Sequence, residues 1–112
     1  MLHVPPSPAT ASAIAFPGDD AVRSVAMAWQ DSLLRERRMA ANTVEAYARD
    51  LRQFLDHLQS RHGTVGIAGL VALKPRDIRG FMAARRAETV SGRSLMRALA
   101  GLRSFARHLE RD

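Results

Sequence analysis

The chain has no cysteine. Disulfides, thiol nucleophiles and cysteine-bound zinc are therefore excluded. It has no apolar run near the roughly 18 residues that a membrane-spanning helix needs. The N-terminus lacks the positive region that opens a signal peptide. Together these absences predict a cytoplasmic protein with no membrane partner. Lysine is nearly missing, since Lys74 is the only one among 17 basic side chains. Residues 1–20 hold no Lys or Arg, only the acidic Asp19 and Asp20. No segment shows the sustained alternation of a half-buried strand, and there is no internal repeat.

What remains is a basic, helical pattern. The 112 residues suit one domain with a modest core. The formal net charge is +6, and residues 21–112 carry 17 basic against 9 acidic side chains. Codon bias explains arginine in place of lysine, but it does not explain a net excess of positive charge. Arginine is a planar fork of donors that grips phosphate and can read a guanine edge. The predicted partner is a polyanion, double-stranded DNA first, with a nucleoid-associated address.

Residues 1–20 read as a flexible leader, because Pro5, Pro6, Pro8 and Pro17 lie there among Ala and Ser. Its apolar patch Ile14-Ala15-Phe16 is placed to fold back onto the body. A first helix is predicted over 21–37, opened by Asp19 and Asp20 and striped by Val22, Val25, Ala26, Trp29 and Leu33. A second begins near Ala41 or Asn42. It buries Val44, Tyr47, Ala48, Leu51, Phe54, Leu55 and Leu58, and closes on Arg61-His62-Gly63. Residues 63–73 read as a loop, with one short turn tucked in by Ile67 and Leu70. A third helix starts at Pro75, with Asp77 in its first turn, and fades near Glu88. Ser91 caps a fourth. The expected fold class is all-α, a compact four-helix bundle with an N-terminal leader.

The fourth predicted helix is the most informative. At about 100° per residue, Leu95, Leu99, Leu102, Phe105, Ala106 and Leu109 fall on one face. Arg93, Arg97, Arg103, Arg107 and Arg111 fall opposite. Docking on a core requires the first stripe and not the second.

Four segments, in this order and spacing, carry a resemblance. They are the Trp29 helix with its arginine-rich turn, Asn42-Thr43-Val44-Glu45-Ala46-Tyr47-Ala48-Arg49-Asp50-Leu51-Arg52-Gln53-Phe54, Lys74-Pro75-Arg76-Asp77-Ile78-Arg79-Gly80-Phe81, and Ser94 to Phe105. Over about 21–112 the chain resembles the N-terminal core-binding, SAM-like domain of tyrosine recombinases, the phage integrase family, of the Xer type. The resemblance implies a small helical domain that closes a clamp on duplex DNA with a separate catalytic domain, absent from this chain. It implies that this fragment breaks no DNA alone. The full protein would exchange strands through a phosphotyrosine intermediate, with no metal or nucleotide cofactor. It would work as a tetramer with sister recombinase subunits, in resolving chromosome dimers before cell division. It also implies that the first helix contacts neighbouring protomers, and that the starts of the second and fourth helices meet DNA.

On that basis Thr43, Arg49, Arg93, Ser94, Arg97 and Arg103 are the candidate DNA-binding residues. Arg93, Ser94 and Arg97 match groove-facing positions, where free amides and the helix dipole also favour phosphate. Each has a plainer reading: Thr43 and Ser94 can be helix caps, and the arginines a solvated face. Glu45 can meet a cytosine edge or support the helix start. Arg35, Arg37 and Arg38 can follow a backbone strand or be a solvated helix end, and Arg107 is open in the same way. Tyr47 and Trp29 read as core, and no cation cluster around Tyr47 is visible in the sequence. His3, His57, His62 and His108 have no metal-ligand spacing. Two other classes stay open: a helix-turn-helix-like transcriptional regulator, with residues 88–92 as its turn, and a helical protein-interaction module for an acidic partner.

Overall fold

Each helix begins where the sequence supplies a start signal or ends where it supplies a stop. In the computed structural model, which describes residues 16–88 and 90–111, these are α1 (Asp20–Arg35), α2 (Ala41–His62), α3 (Ile67–Val71), α4 (Pro75–Ala87) and α5 (Gly92–Arg111). There is no strand among the described residues. Asp19 caps α1, its Oδ1 accepting from the Val22 N–H at 2.9 Å. The Asp77 carboxylate accepts from the Lys74 N–H at 2.8 Å at the start of α4, with Pro75 as the first helical residue. Ser91 Oγ accepts from the Ser94 N–H at 3.1 Å and opens α5. The start of α2 differs: Ala40 is the cap residue and no side chain bonds there. The expected cap at Ala41 or Asn42 is thus absent, and the Thr43 and Val44 N–H groups both bond the Ala40 carbonyl at 3.0 Å.

The chain leaves α1 through a left-handed residue that is not glycine. Arg38 has φ +51°, and the Met39 N–H reaches back to the Leu33 carbonyl at 3.0 Å. That bond spans six residues and, with the Arg37 N–H on the Ser32 carbonyl at 3.1 Å, ends the helix and reverses the chain into α2. An L-residue there carries a steric cost of about 1–2 kcal/mol that glycine would avoid.

The core lies where α1, α2 and α5 meet, closed at one side by α4. Trp29 is 1 % exposed. Its ring meets Phe105 edge-on at 5.4 Å, and its Nε1–H donates to Ser104 Oγ at 3.0 Å. Burial of the ring is thus reached without losing its hydrogen bond. Phe54 meets Phe81 edge-on at 5.2 Å, which fixes α4 against α2. Gly101 lets α5 approach α2 closely, because a Cβ there would lie 3.3 Å from Tyr47 Cγ.

Two expectations change, and the fold-back of the leader's apolar patch is seen at Phe16. Phe16 is 3 % exposed, with the Arg52 guanidinium 5.6 Å from its ring centroid, and the Asp19 N–H bonds the Val65 carbonyl at 2.9 Å. Gly18, at φ +118°, makes that entry possible, since a Cβ would fall 2.8 Å from Val22 Cγ1. Leader residues 1–15 lie outside the described residues. The loop after α2 also contains a fifth helix, α3, pinned by the buried Leu70. Finally, the buried arc of α5 is wider than one stripe. Gly101 is buried and Ser104 half-buried, whereas Ala106 is exposed. The cause is that α5 packs on α1 through Trp29 and on α2 through Tyr47, and on α4 as well.

Candidate nucleic-acid interface

Helices α2 and α5 run antiparallel along their contact, because Tyr47 faces Gly101 while Asp50 bonds Arg97. This register separates the candidate residues into three places. Arg93 and Ser94 lie at the start of α5, Arg97 lies at the seam, and Arg103 lies toward the start of α2, where Thr43 is. From Arg93 to Arg107 the helix rises about 21 Å.

The seam holds the longest-range ion pair of the described residues. Arg97 donates Nε–H to Asp50 Oδ2 at 2.9 Å and Nη2–H to Oδ1 at 3.0 Å. Asp50 is 2 % exposed, whereas 35 % of the Arg97 side chain is exposed. The hydrogen bonds to Asp50 raise the Arg97 pKa; burial opposes this and the carboxylate's charge adds to it. Arg97 was expected on the outer arginine face. It sits instead at the margin of that face, turned toward α2, because the arc packed against α2 reaches it.

Toward the other end, the α1–α2 link folds over the second half of α5. A cleft of about 300 Å³ forms there, lined by Arg37, Arg103, Arg107 and Tyr47 among others. None of these three arginines has an ion-pair partner among the described residues. Three uncompensated guanidinium groups around one opening raise the local potential and favour an anion. The sequence showed no cation cluster beside Tyr47. The structure shows one, assembled from residues more than 60 positions apart. Tyr47 itself is half-buried against the core, as its stripe position requires.

The remaining candidates are simply placed. Thr43 is exposed in the first turn of α2, and its backbone N–H bonds the Ala40 carbonyl at 3.0 Å. Its hydroxyl caps nothing. Ser94 is half-buried, and its Oγ accepts from Ser91 Oγ at 3.1 Å. Arg93 and Arg49 are exposed. Burial, then the nearby Arg49, push the pKa of Arg52 down, and Glu45 partly offsets this. Among the described residues no group of three or more His, Asp or Glu side chains could hold a metal ion, and no helix is long and apolar enough to cross a membrane. His3 lies outside the described residues.

Two features of the site escaped the sequence reading, Asp50 and the meeting of Arg37 with Arg107 in one cleft. Asp50 had a signal: it is an acid within the apolar face of α2, three residues after Tyr47 and four before Phe54. An acid at such a position needs a partner. The pairing of Arg37 with Arg107 had none, because it depends on the path of the 36–40 link.

The fold and this face define a small, arginine-rich helical domain. The profile of the phage integrase N-terminal SAM-like domain matches residues 26–112, and the chain belongs to that family. It is similar to proteins named tyrosine recombinase XerC. It is 67 % identical over 98 residues to that of Methylobacterium sp. (strain 4-46), covering 87 % of this chain and 30 % of the relative. It is 67 % identical over 91 residues to that of Methylobacterium nodulans, covering 81 % and 28 %. For Nitrobacter winogradskyi the identity is 54 % over 108 residues, covering 96 % and 32 %. The chain thus spans about three-tenths of the length of these relatives. No solved structure matches it significantly.

Proposed function

We propose that this chain is the DNA-gripping domain of a site-specific tyrosine recombinase of the XerC type. The α2–α5 face would lie on duplex DNA and hold one half-site of a recombination site. A catalytic domain elsewhere in the full protein would close the clamp from the other side. In that arrangement the body from Phe16 onward recognises and positions, and strand exchange through a phosphotyrosine belongs to the rest of the protein. Sister subunits would complete a tetramer on two sites, acting in the nucleoid to resolve chromosome dimers. Nothing in the domain's share of this work calls for a metal or nucleotide.

The observation that carries this reading is the cleft with Arg37, Arg103 and Arg107, continued along α5 to Arg93. Cations without carboxylate partners suit phosphates, whose neutralisation releases condensed counterions. The exposed Thr43 hydroxyl in the first turn of α2 suits phosphate too. Membership of the family and the likeness to proteins named tyrosine recombinase support the same partner.

The test is binding of a labelled duplex at two salt concentrations, with mass measured on the complex. The proposal expects binding that weakens steeply with salt, at roughly −0.9 in log K per log salt for each phosphate engaged. It expects one chain per half-site. Salt-insensitive binding, or no binding, would remove DNA as the partner. A pre-formed dimer on the duplex would favour a transcriptional regulator instead.

A further inference from the structure

The Asp50–Arg97 pair does more than join two helices. A guanidinium has five N–H donors in a fixed plane. Asp50 takes the side edge, one hydrogen from Nε and one from Nη2. The end edge keeps one hydrogen of Nη1 and the second of Nη2, and Nη1 has no protein acceptor among the described residues. A third of the side chain is open to solvent, at the seam of the face described above. Asp50 is itself buried and bonded through both oxygens, so it cannot follow Arg97 if the arginine swings away. The pair is therefore a stiff mount with one free fork.

Its electrostatics point to a particular target. The carboxylate cancels the arginine's charge at close range, so the pair has little to offer a phosphate by charge alone. What it retains is direction: two parallel donors at a fixed angle. Two parallel donors match the O6 and N7 acceptors on the major-groove edge of guanine. The cleft arginines are the reverse case, charged and without a mount, suited to phosphate whatever the base sequence.

We propose that Asp50 is a positioning residue for base reading. Its buried carboxylate holds the side edge of Arg97 so that the end edge meets one guanine of the duplex. The inference rests on the DNA-gripping reading above and adds to it which pair supplies sequence discrimination. A residue that only braced the fold would affect every duplex alike; this one distinguishes between them.

The test uses the 112-residue chain, a duplex selected by the wild type from a randomised library, and a scrambled duplex of the same composition. The readout is the ratio of the two dissociation constants. Asp50→Asn should lower that ratio by about 5- to 150-fold, the worth of one two-donor contact. Removing a negative charge should leave binding to the scrambled duplex unchanged or tighter. Arg97→Lys keeps a cation for Asp50 but has no second fork. It should lose the same discrimination while still unfolding cooperatively and keeping the salt slope, so the test survives if Asp50→Asn folds poorly. Replacing the preferred guanine with 7-deazaguanine should cost the wild type as much as Arg97→Lys does, and should cost that variant nothing more. The proposal is overturned if both variants keep the wild-type ratio, or if they weaken both duplexes equally. Salt-dependent binding with no discrimination in the wild type sinks this inference alone. Absence of salt-dependent binding sinks the DNA-gripping reading with it.

Discussion

Arg97 and Arg103 lie six residues apart on α5 and live under different rules. Arg97 is bound through two hydrogen bonds to a carboxylate that is shut off from water. Arg103 lines an open cleft with two more arginines and no acid. The first keeps direction and loses net charge; the second keeps charge and gains no fixed direction. One helix thus offers separate devices for fixed contact and for long-range attraction. Position alone decides which arginine becomes which: Arg97 touches the α2 packing surface, and Arg103 faces the α1–α2 link.

The largest expected effect removes both regions together. Trp29→Ala should destabilise the domain by about 3–5 kcal/mol, since it deletes the ring packed on Phe105 and strands the Ser104 contact. Denaturant unfolding would show this. A change within experimental error would mean that seam and cleft do not share the Trp29 core.

The comparison is broken more selectively by replacing Arg37, Arg103 and Arg107 with alanine. If three phosphates are engaged, binding at about 0.15 M salt should weaken by roughly 100-fold, and the salt slope should flatten by roughly 3. Stability should stay close to wild type, because no ion pair of the described residues is lost. A slope that does not change would place the phosphate contacts elsewhere.

Arg38→Gly sharpens the account of how the cleft is built. The φ of +51° suits glycine, so the variant should gain up to about 1 kcal/mol in thermal unfolding. A loss would show that the Arg38 side chain makes a contribution larger than its backbone strain.

The smallest effect is a pH dependence. Burial, then the cations Arg61 and His62, push the His57 pKa below its ordinary 6.5. The folded state therefore binds fewer protons than the unfolded chain between that lowered value and 6.5. Stability from this group rises with pH across that window and is complete above it. His57→Gln should remove this part of the slope between pH 5 and 7. An identical slope in the variant would assign it to other groups.

The helices were legible because their apolar positions recur near 3.6 residues, and Asp19, Pro75, Ser91 and Gly63 mark ends with simple chemistry. The short α3 was only a suspected turn, since five residues carry little periodicity. Phe16 was legible as part of an apolar patch placed to fold back, but its seat was not, because that depends on Gly18 and on Arg52 of another helix. The arginine face was legible in outline. Its margin was not, because the width of a buried arc depends on how many helices pack against it. Arg97 lies only about 40° from Arg93 on the helical wheel, yet one is exposed and the other is anchored to α2. The sequence of one helix cannot hold that distinction. The lone acid in the apolar stripe of α2 does hold half of it.

Amide and arginine side-chain NMR spectra of the isotope-labelled chain, recorded with and without duplex DNA, test the account most directly. It predicts shifts concentrated at Thr43, Arg49, Arg93, Ser94, Arg97, Arg103 and the Arg37–Arg107 cleft, with the Arg97 Nε–H sharp and protected before DNA is added. Shifts centred on the exposed Met27–Leu34 side of α1, with the α2–α5 face unmoved, would contradict it.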